Sequence, residues 1–315
     1  MNEIKKKIKK PKINKGDLIF YCIFLAWPVL QFCVYYIGVN FNSILMSFKV
    51  ATDFDNTTGA IIWDNFSFAQ YKHVFTTWMD GNFVNMVSVS LRAFLITHCI
   101  SVPLGLLFAY YIYKKLIGWG AFRVILFLPK IISGVVIALM FNWFLSEYVP
   151  VVLPSVGNLL AIDRDLQFPV LMFYNIWIGF GTTVLMYSNK MSSISEEIIE
   201  SAHLDGATGL KEFWHIVLPL TYSTVSVFLI TGVAQIFVNQ FGAYEMFQGT
   251  ASPNVKGVGY YFFVEVKGKF SHLAKAEDSA QIPMFSAIGV VLTMITIPVA
   301  LTCRWAFEKF GPSEE

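Results

Sequence analysis

Charge is scarce in this sequence of 315 residues: Asp, Glu, Lys and Arg together make up 14%, against 56% apolar and 17% aromatic residues. A soluble domain usually carries about a quarter of its residues as charges, so the composition excludes an ordinary water-soluble globule and points to the bilayer. Catalytic signatures are missing too. There is no HExxH, no paired-Asp motif and no Gly-rich phosphate loop with its Lys, which argues against a membrane-embedded enzyme and against ATP hydrolysis by this chain. The four cysteines (Cys22, Cys33, Cys99 and Cys303) lie in apolar stretches without metal-ligand or disulfide spacing and read as small hydrophobes. Carboxylates are nearly absent from the apolar runs, Glu245 at the end of the fifth excepted. A carrier driven by an ion gradient would therefore lack its ion-binding groups.

What is abundant is long apolar runs. A spanning helix needs about 20 apolar residues at ~1.5 Å of rise each. Six runs qualify, near Leu18 to Val39, Val84 to Tyr113, Phe122 to Ser146, Phe168 to Asn189, Leu220 to Phe247 and Ile282 to Phe307, which predicts an all-α polytopic membrane protein. The second and fifth exceed the bilayer thickness and should tilt. Seven lysines (Lys5, Lys6, Lys7, Lys9, Lys10, Lys12 and Lys15) precede the first run and place the N-terminus in the cytoplasm. That run is long, bulky and without a small-residue cleavage pattern, so it reads as a retained span and not as a signal peptide. Residues 1–17 then form a basic tail, 18–310 the membrane domain and 311–315 a cytoplasmic C-terminal tail. The Lys49 to Phe83 loop, with Asp53, Asp55, Asp64 and Asp80 against two lysines, is expected outside, and the connection bearing Lys114, Lys115 and Arg123 inside. Alternation puts the loop from Gln248 to Gln281 outside despite its lysines. The net charge of +2 gives no reason to expect a nucleic-acid partner.

The stretch from Lys190 to Leu218, inside by alternation, is long and amphipathic. Ser195 is placed to cap a short helix with Glu196 and Glu197 in its first turn, Gly206 to supply a turn, and Leu210 to Val217 to form a second helix ended by Pro219. By pattern alone such a segment could also lie flat on lipid. Its residue order is more specific: Glu200-Ser201-Ala202, three residues, Gly206, nine residues, then Ile216-Val217-Leu218-Pro219. This resembles the EAA loop of ABC-importer permeases, with Ser201 in place of the usual Ala, and Asp205-Gly206-Ala207 is similar to the D-G-A of the sugar-importing members. Further similarities to maltose-type permeases lie in Asn42 to Phe48, in Asn65 to Phe75 and in Phe122 to Pro129. Together they suggest the first of the two permease chains of a carbohydrate-uptake system.

The resemblance implies a type I importer permease whose loop at 192–219 is a coupling helix, with Glu200, Ser201, Ala202, Asp205, Gly206 and Ala207 meeting a cytoplasmic ATPase. It implies four kinds of partner: that separate ATPase dimer, which binds ATP and Mg; a second, paralogous permease; an extracellular solute-binding protein; and a sugar or oligosaccharide. This chain itself would bind no cofactor and no metal. Asn175-Ile176-Trp177-Ile178-Gly179 is similar to the N-I-W-x-G stretch that lines the sugar site in maltose-type permeases, and Asn175 and Gly179 share a helix face. Gln235, Asn239, Gln240 and Tyr244 form a second polar run, with Gln235 and Asn239 on one face if the helix is continuous. Amides and aromatic rings suit a neutral polyol. The competing role for each is a hydrogen bond to a neighbouring helix. Arg92 and Lys130 are expected to snorkel or pair, with no substrate role required.

Overall fold

The computed structural model describes residues 15–54, 61–64, 66–77, 81–161, 165–239, 241–247, 251–269 and 281–312. Lys5 to Lys12, Asp55, Asp80, Gln240, Lys275 and residues 313–315 lie outside the described residues. Six helical stretches among the rest are long and apolar enough to cross a membrane: Leu18–Met46, Phe83–Tyr113, Gly134–Val152, Gln167–Met191, Leu210–Ala234 and Ile282–Phe310. Their order and number match the six apolar runs of the sequence. The first is apolar all round and none of its residues is buried against the rest of the chain, as suits a helix whose surroundings are lipid or another subunit.

Two spans are cut differently from their hydropathy. The run from Phe122 to Ser146 is not one helix: a helix over Trp119–Ile131 stops at Ile132, which is extended, and the membrane-length helix starts at Gly134. Pro129, with no N–H for the carbonyl one turn earlier, precedes the break. The fifth run, read as Leu220 to Phe247, begins earlier and ends earlier. Its helix rises directly out of the loop at Leu210 and stops at Ala234, followed by turns and a separate short helix, Ala243–Phe247. Pro219 therefore does not end a helix. It sits at the second position of Leu218–Ala234, immediately after a π-helical turn over Phe213–Val217, and the wider turn leaves room for a ring that cannot donate a hydrogen bond. The fold is also not wholly helical. In the connection after the first span, β1 (Val50–Phe54) pairs antiparallel with β2 (Ile61–Asp64) in a two-stranded hairpin with a register irregularity between Ala51 and Asp53.

The spans pack into three apolar clusters. One, at the end where the second span finishes and the fifth begins, gathers Ile112, Tyr187 and Met191 with Ile199, Phe213 and Val217 of the loop. A second, at the far end, gathers Leu171, Met172 and Tyr174 of the fourth span with Ala243, Met246 and Phe247 of the short helix. The third joins the sixth span (Phe285, Ile288, Leu292) to Val74 and Val258. The helix Trp119–Ile131 lies so close to the fourth span that a Cβ on Gly181 would fall 2.1 Å from the Leu126 carbonyl oxygen.

Candidate functional site

Two regions collect the residues singled out in the sequence, one at each end of the bundle. In the loop between the fourth and fifth spans, a helix covers Glu196–Leu204, with Ser195 at its N-cap position in extended conformation. Ser195 makes no side-chain cap hydrogen bond there, so the expected cap is positional only; Glu196 and Glu197 do occupy the first turn. The helix ends on Gly206, whose φ is +79°. The Gly206 N–H donates to the His203 carbonyl (3.0 Å) and the Ala207 N–H to the Ala202 carbonyl (2.9 Å), the paired bonds of a glycine-terminated helix. A side chain at Gly206 would suffer the left-handed backbone but meet no atom of this chain.

The loop has two faces. Ile199, Ala202, Phe213 and Val217 are buried inward. Glu200, Ser201, Asp205 and Gly206 are exposed, Ala207 is half-buried, and Leu204 is 90% exposed. Ser201 donates its hydroxyl to the Ile198 carbonyl (2.9 Å). Ile198 and Leu210 are exposed as well, so the loop's outer face carries several apolar side chains, as interaction surfaces do.

Sequence reasoning missed the polar group beneath this loop. Glu212 is fully buried; its carboxylate lies 2.6 Å from Lys114 Nζ and 2.8 Å from His203 Nε2. Tyr110 donates its hydroxyl to the Gly209 carbonyl (3.0 Å), and its ring packs 5.0 Å from that of Phe213. A carboxylate at the start of a spanning helix demands a cation when it is buried, and that rule is the sequence signal that could have raised the question, although Lys211 and His215 nearby offered themselves first. Nothing in the sequence says that Lys114 answers it.

At the far end, residues 235–239, 241–247 and 251–258 run through turns and short helical pieces against the tips of the spans. A buried loop must satisfy its backbone polar groups, and here side chains of the spans do so. Asn175 Nδ2 donates to the carbonyls of Phe241 (2.6 Å) and Leu171 (2.8 Å). Asn142 Nδ2 donates to the Met246 carbonyl (2.5 Å), Gln167 Oε1 accepts from the Ser252 N–H (2.8 Å), and Ser90 Oγ accepts from the Val258 N–H (2.9 Å). Of the expected polar run, Gln235 is the residue at which the helix ends and Asn239 lies in the turn. The two therefore do not share a continuous helix face, although the Asn239 N–H still reaches the Gln235 carbonyl (2.9 Å). Asn239 Oδ1 accepts the Phe241 N–H (2.8 Å), so Asn175 and Asn239 meet on the backbone of Phe241, whose φ is +57°. The Tyr244 ring packs 4.7 Å from Phe263. Gly179 lies one turn from Asn175 on the same uninterrupted helix and is exposed. Gln240 lies outside the described residues. Arg92, exposed, reaches back from Nε to the Ser88 carbonyl (3.3 Å).

A polytopic helical bundle with a two-faced loop suits a membrane component of a transport system. Residues 101–312 match the family of binding-protein-dependent transport system inner membrane components, and the chain belongs to that family. It is a multi-pass, non-catalytic membrane subunit. Similar proteins include the multiple sugar-binding transport system permease protein MsmF of Streptococcus mutans, 26% identical over 66% of this chain and 70% of that protein. The probable ABC transporter permease protein YurN of Bacillus subtilis is 27% identical over 96% of this chain and 100% of its own length. The arabinooligosaccharides transport system permease protein AraP of Halalkalibacterium halodurans is 23% identical over 89% of this chain and 86% of that protein. Among solved structures, a chain of a bacterial ABC transporter importing the acidic polysaccharide alginate superposes with a TM-score of 0.73 at 20% identity, over 94% of this chain and 97% of that one. That likeness establishes the type I permease fold.

Proposed function

We propose that this chain forms half of the translocation pathway of an ATP-driven importer for a sugar or oligosaccharide, in a bacterial cell membrane, with both termini in the cytoplasm. The 192–219 loop sits in a groove of a separate ATPase dimer that binds ATP and Mg. A second, paralogous permease completes the pore, and an extracellular solute-binding protein delivers the solute. Closure of the ATPase pushes the loop and switches the bundle between inward-facing and outward-facing states, a rigid-body transition. The observation that carries this reading is the two-faced loop, with its inner side in the core and Leu204 beside the Gly206 turn presented to a partner.

The N-terminal lysines support the orientation. The unburied first span supports a second permease, as does a groove of about 770 Å³ lined by Asn40, Ser43, Ser286, Gly289 and Thr293 among others, because small and hydroxyl residues favour helix packing in lipid. Sugars are favoured by the names of the relatives; the amides of Asn175 and Asn239 are engaged with the Phe241 backbone, which is the competing structural role. A relative named for sn-glycerol 3-phosphate sets the competing substrate class. The test is uptake into proteoliposomes holding this chain, its second permease, the ATPase and the binding protein. Arabino-oligosaccharide, galacto-oligosaccharide and sn-glycerol 3-phosphate are offered with and without ATP. Uptake of a saccharide that needs both ATP and binding protein is expected; uptake without ATP would contradict the coupling, and uptake of the phosphate ester alone would contradict the substrate class.

A further inference from the structure

The loop must be fastened to something if a push on it is to move the bundle, and the fastening is visible. Three segments converge on one carboxylate. Glu212 stands after the Gly206 turn, His203 before it, and Lys114 at the end of the second span. Both halves of the loop are thus tied to each other and to the second span through a side chain with no solvent exposure, where charges interact strongly and geometry is held tightly. His203 is the direct neighbour of Leu204, the most exposed of the loop's large hydrophobic residues.

We propose that Glu212 is a positioning residue for energy coupling: the Lys114–Glu212–His203 triad is a strut that makes the loop and the second span move as one body. The inference rests on the importer reading above. The Tyr110 bond to Gly209 and the Phe213 packing hold the loop in place whether or not the triad is charged, so a neutral variant keeps its fold but yields under load. Glu212→Gln conserves shape and removes the charge. Lys114→Met alone would strand a buried carboxylate without its cation and endanger folding, so the double variant Lys114→Met with Glu212→Gln is the neutral companion.

The experiment uses the whole reconstituted transporter with its native cysteines replaced by serine. Nitroxide labels at Glu197→Cys and Ile117→Cys, both exposed positions and the second in the short connection that follows Lys114 at the end of the second span, report the distance from the loop to that span's end without nucleotide and with ATP plus vanadate. The parent and the Lys114→Arg variant should give one distance in both states. Glu212→Gln and the double variant should hydrolyse ATP yet acquire a second, nucleotide-dependent distance. Delivery of the saccharide best taken up in the panel above should fall roughly tenfold per ATP hydrolysed, the scale of a typical coupling between sites. If Glu212→Gln and the double variant keep a single, nucleotide-independent distance and an unchanged delivery ratio per assembled complex, the triad only stabilises the fold and the proposal is overturned. A failure of the importer reading shows itself separately, as a parent complex in which the ATPase does not assemble.

Discussion

The two ends of the fifth span are built on opposite plans. At the loop end the helix is redundantly fixed: the Lys114–Glu212–His203 triad, the Tyr110 hydroxyl bond and the packing of Phe213 and Val217 all act on residues 209–217, and the helix continues through Pro219 without a break. At the far end it stops at Gln235, and the chain beyond is held by the packing of Ala243, Met246 and Phe247 against the fourth span and by side-chain bonds spread along its backbone, among them that of Asn175 to Phe241. Under the importer reading the difference is that between a lever's base, which must not yield, and its tip, where an interrupted helix offers backbone and side-chain groups to a solute.

That contrast makes the far end the more fragile to small changes. The largest effect is expected from Gly259→Ala. Its Cβ would lie 2.6 Å from the Val238 carbonyl oxygen and 2.7 Å from that of Asn239, so the turn or the helix bearing it must shift. Overpacking of this kind costs about 1–3 kcal/mol, read as a lower melting temperature of the detergent-solubilised transporter, and uptake should fall with it. Asn175→Leu comes next: the Phe241 carbonyl loses its donor, at about 1–2 kcal/mol. Under the importer reading saccharide uptake falls while ATPase assembly is retained. Tyr110→Phe, at the redundant end, removes one neutral hydrogen bond and should cost about 1 kcal/mol or less in the same melting measurement. A larger loss for Tyr110→Phe than for Asn175→Leu would reverse the comparison.

The loop and the far-end turn were also unequally legible in the sequence. The loop's motif is contiguous, and its key backbone conformation sits on a glycine, so the first helix and the Gly206 turn could be read from residue order, whereas the expected second helix proved to be the start of the fifth span. The far-end turn is assembled from Asn142, Gln167, Asn175 and Ser90, which are remote from it along the chain, and hydropathy does not register it. Phe237, Val238, Met246 and Phe247 are apolar enough to extend the fifth run past Ala234, which hid the break at Gln235. Pro219 misled in the other direction, since the π-helical turn that accommodates it has no sequence mark. The partnership of Lys114 and Glu212 bridges a separation of 98 residues, and only packing discloses it.

The central claim is that the loop between the fourth and fifth spans passes the ATPase's work to the membrane domain, and Gly206→Asp tests it most directly. A side chain there meets open space on this chain and adds about 1–2 kcal/mol of left-handed strain, so the subunit should still insert and assemble with its second permease. Its new bulk and charge fall on the exposed turn where a partner's surface would close. In proteoliposomes with all subunits present, the account predicts that ATP-dependent saccharide uptake collapses while membrane insertion and binding-protein affinity persist. Uptake at the parent rate, or uptake that proceeds without ATP, would contradict it.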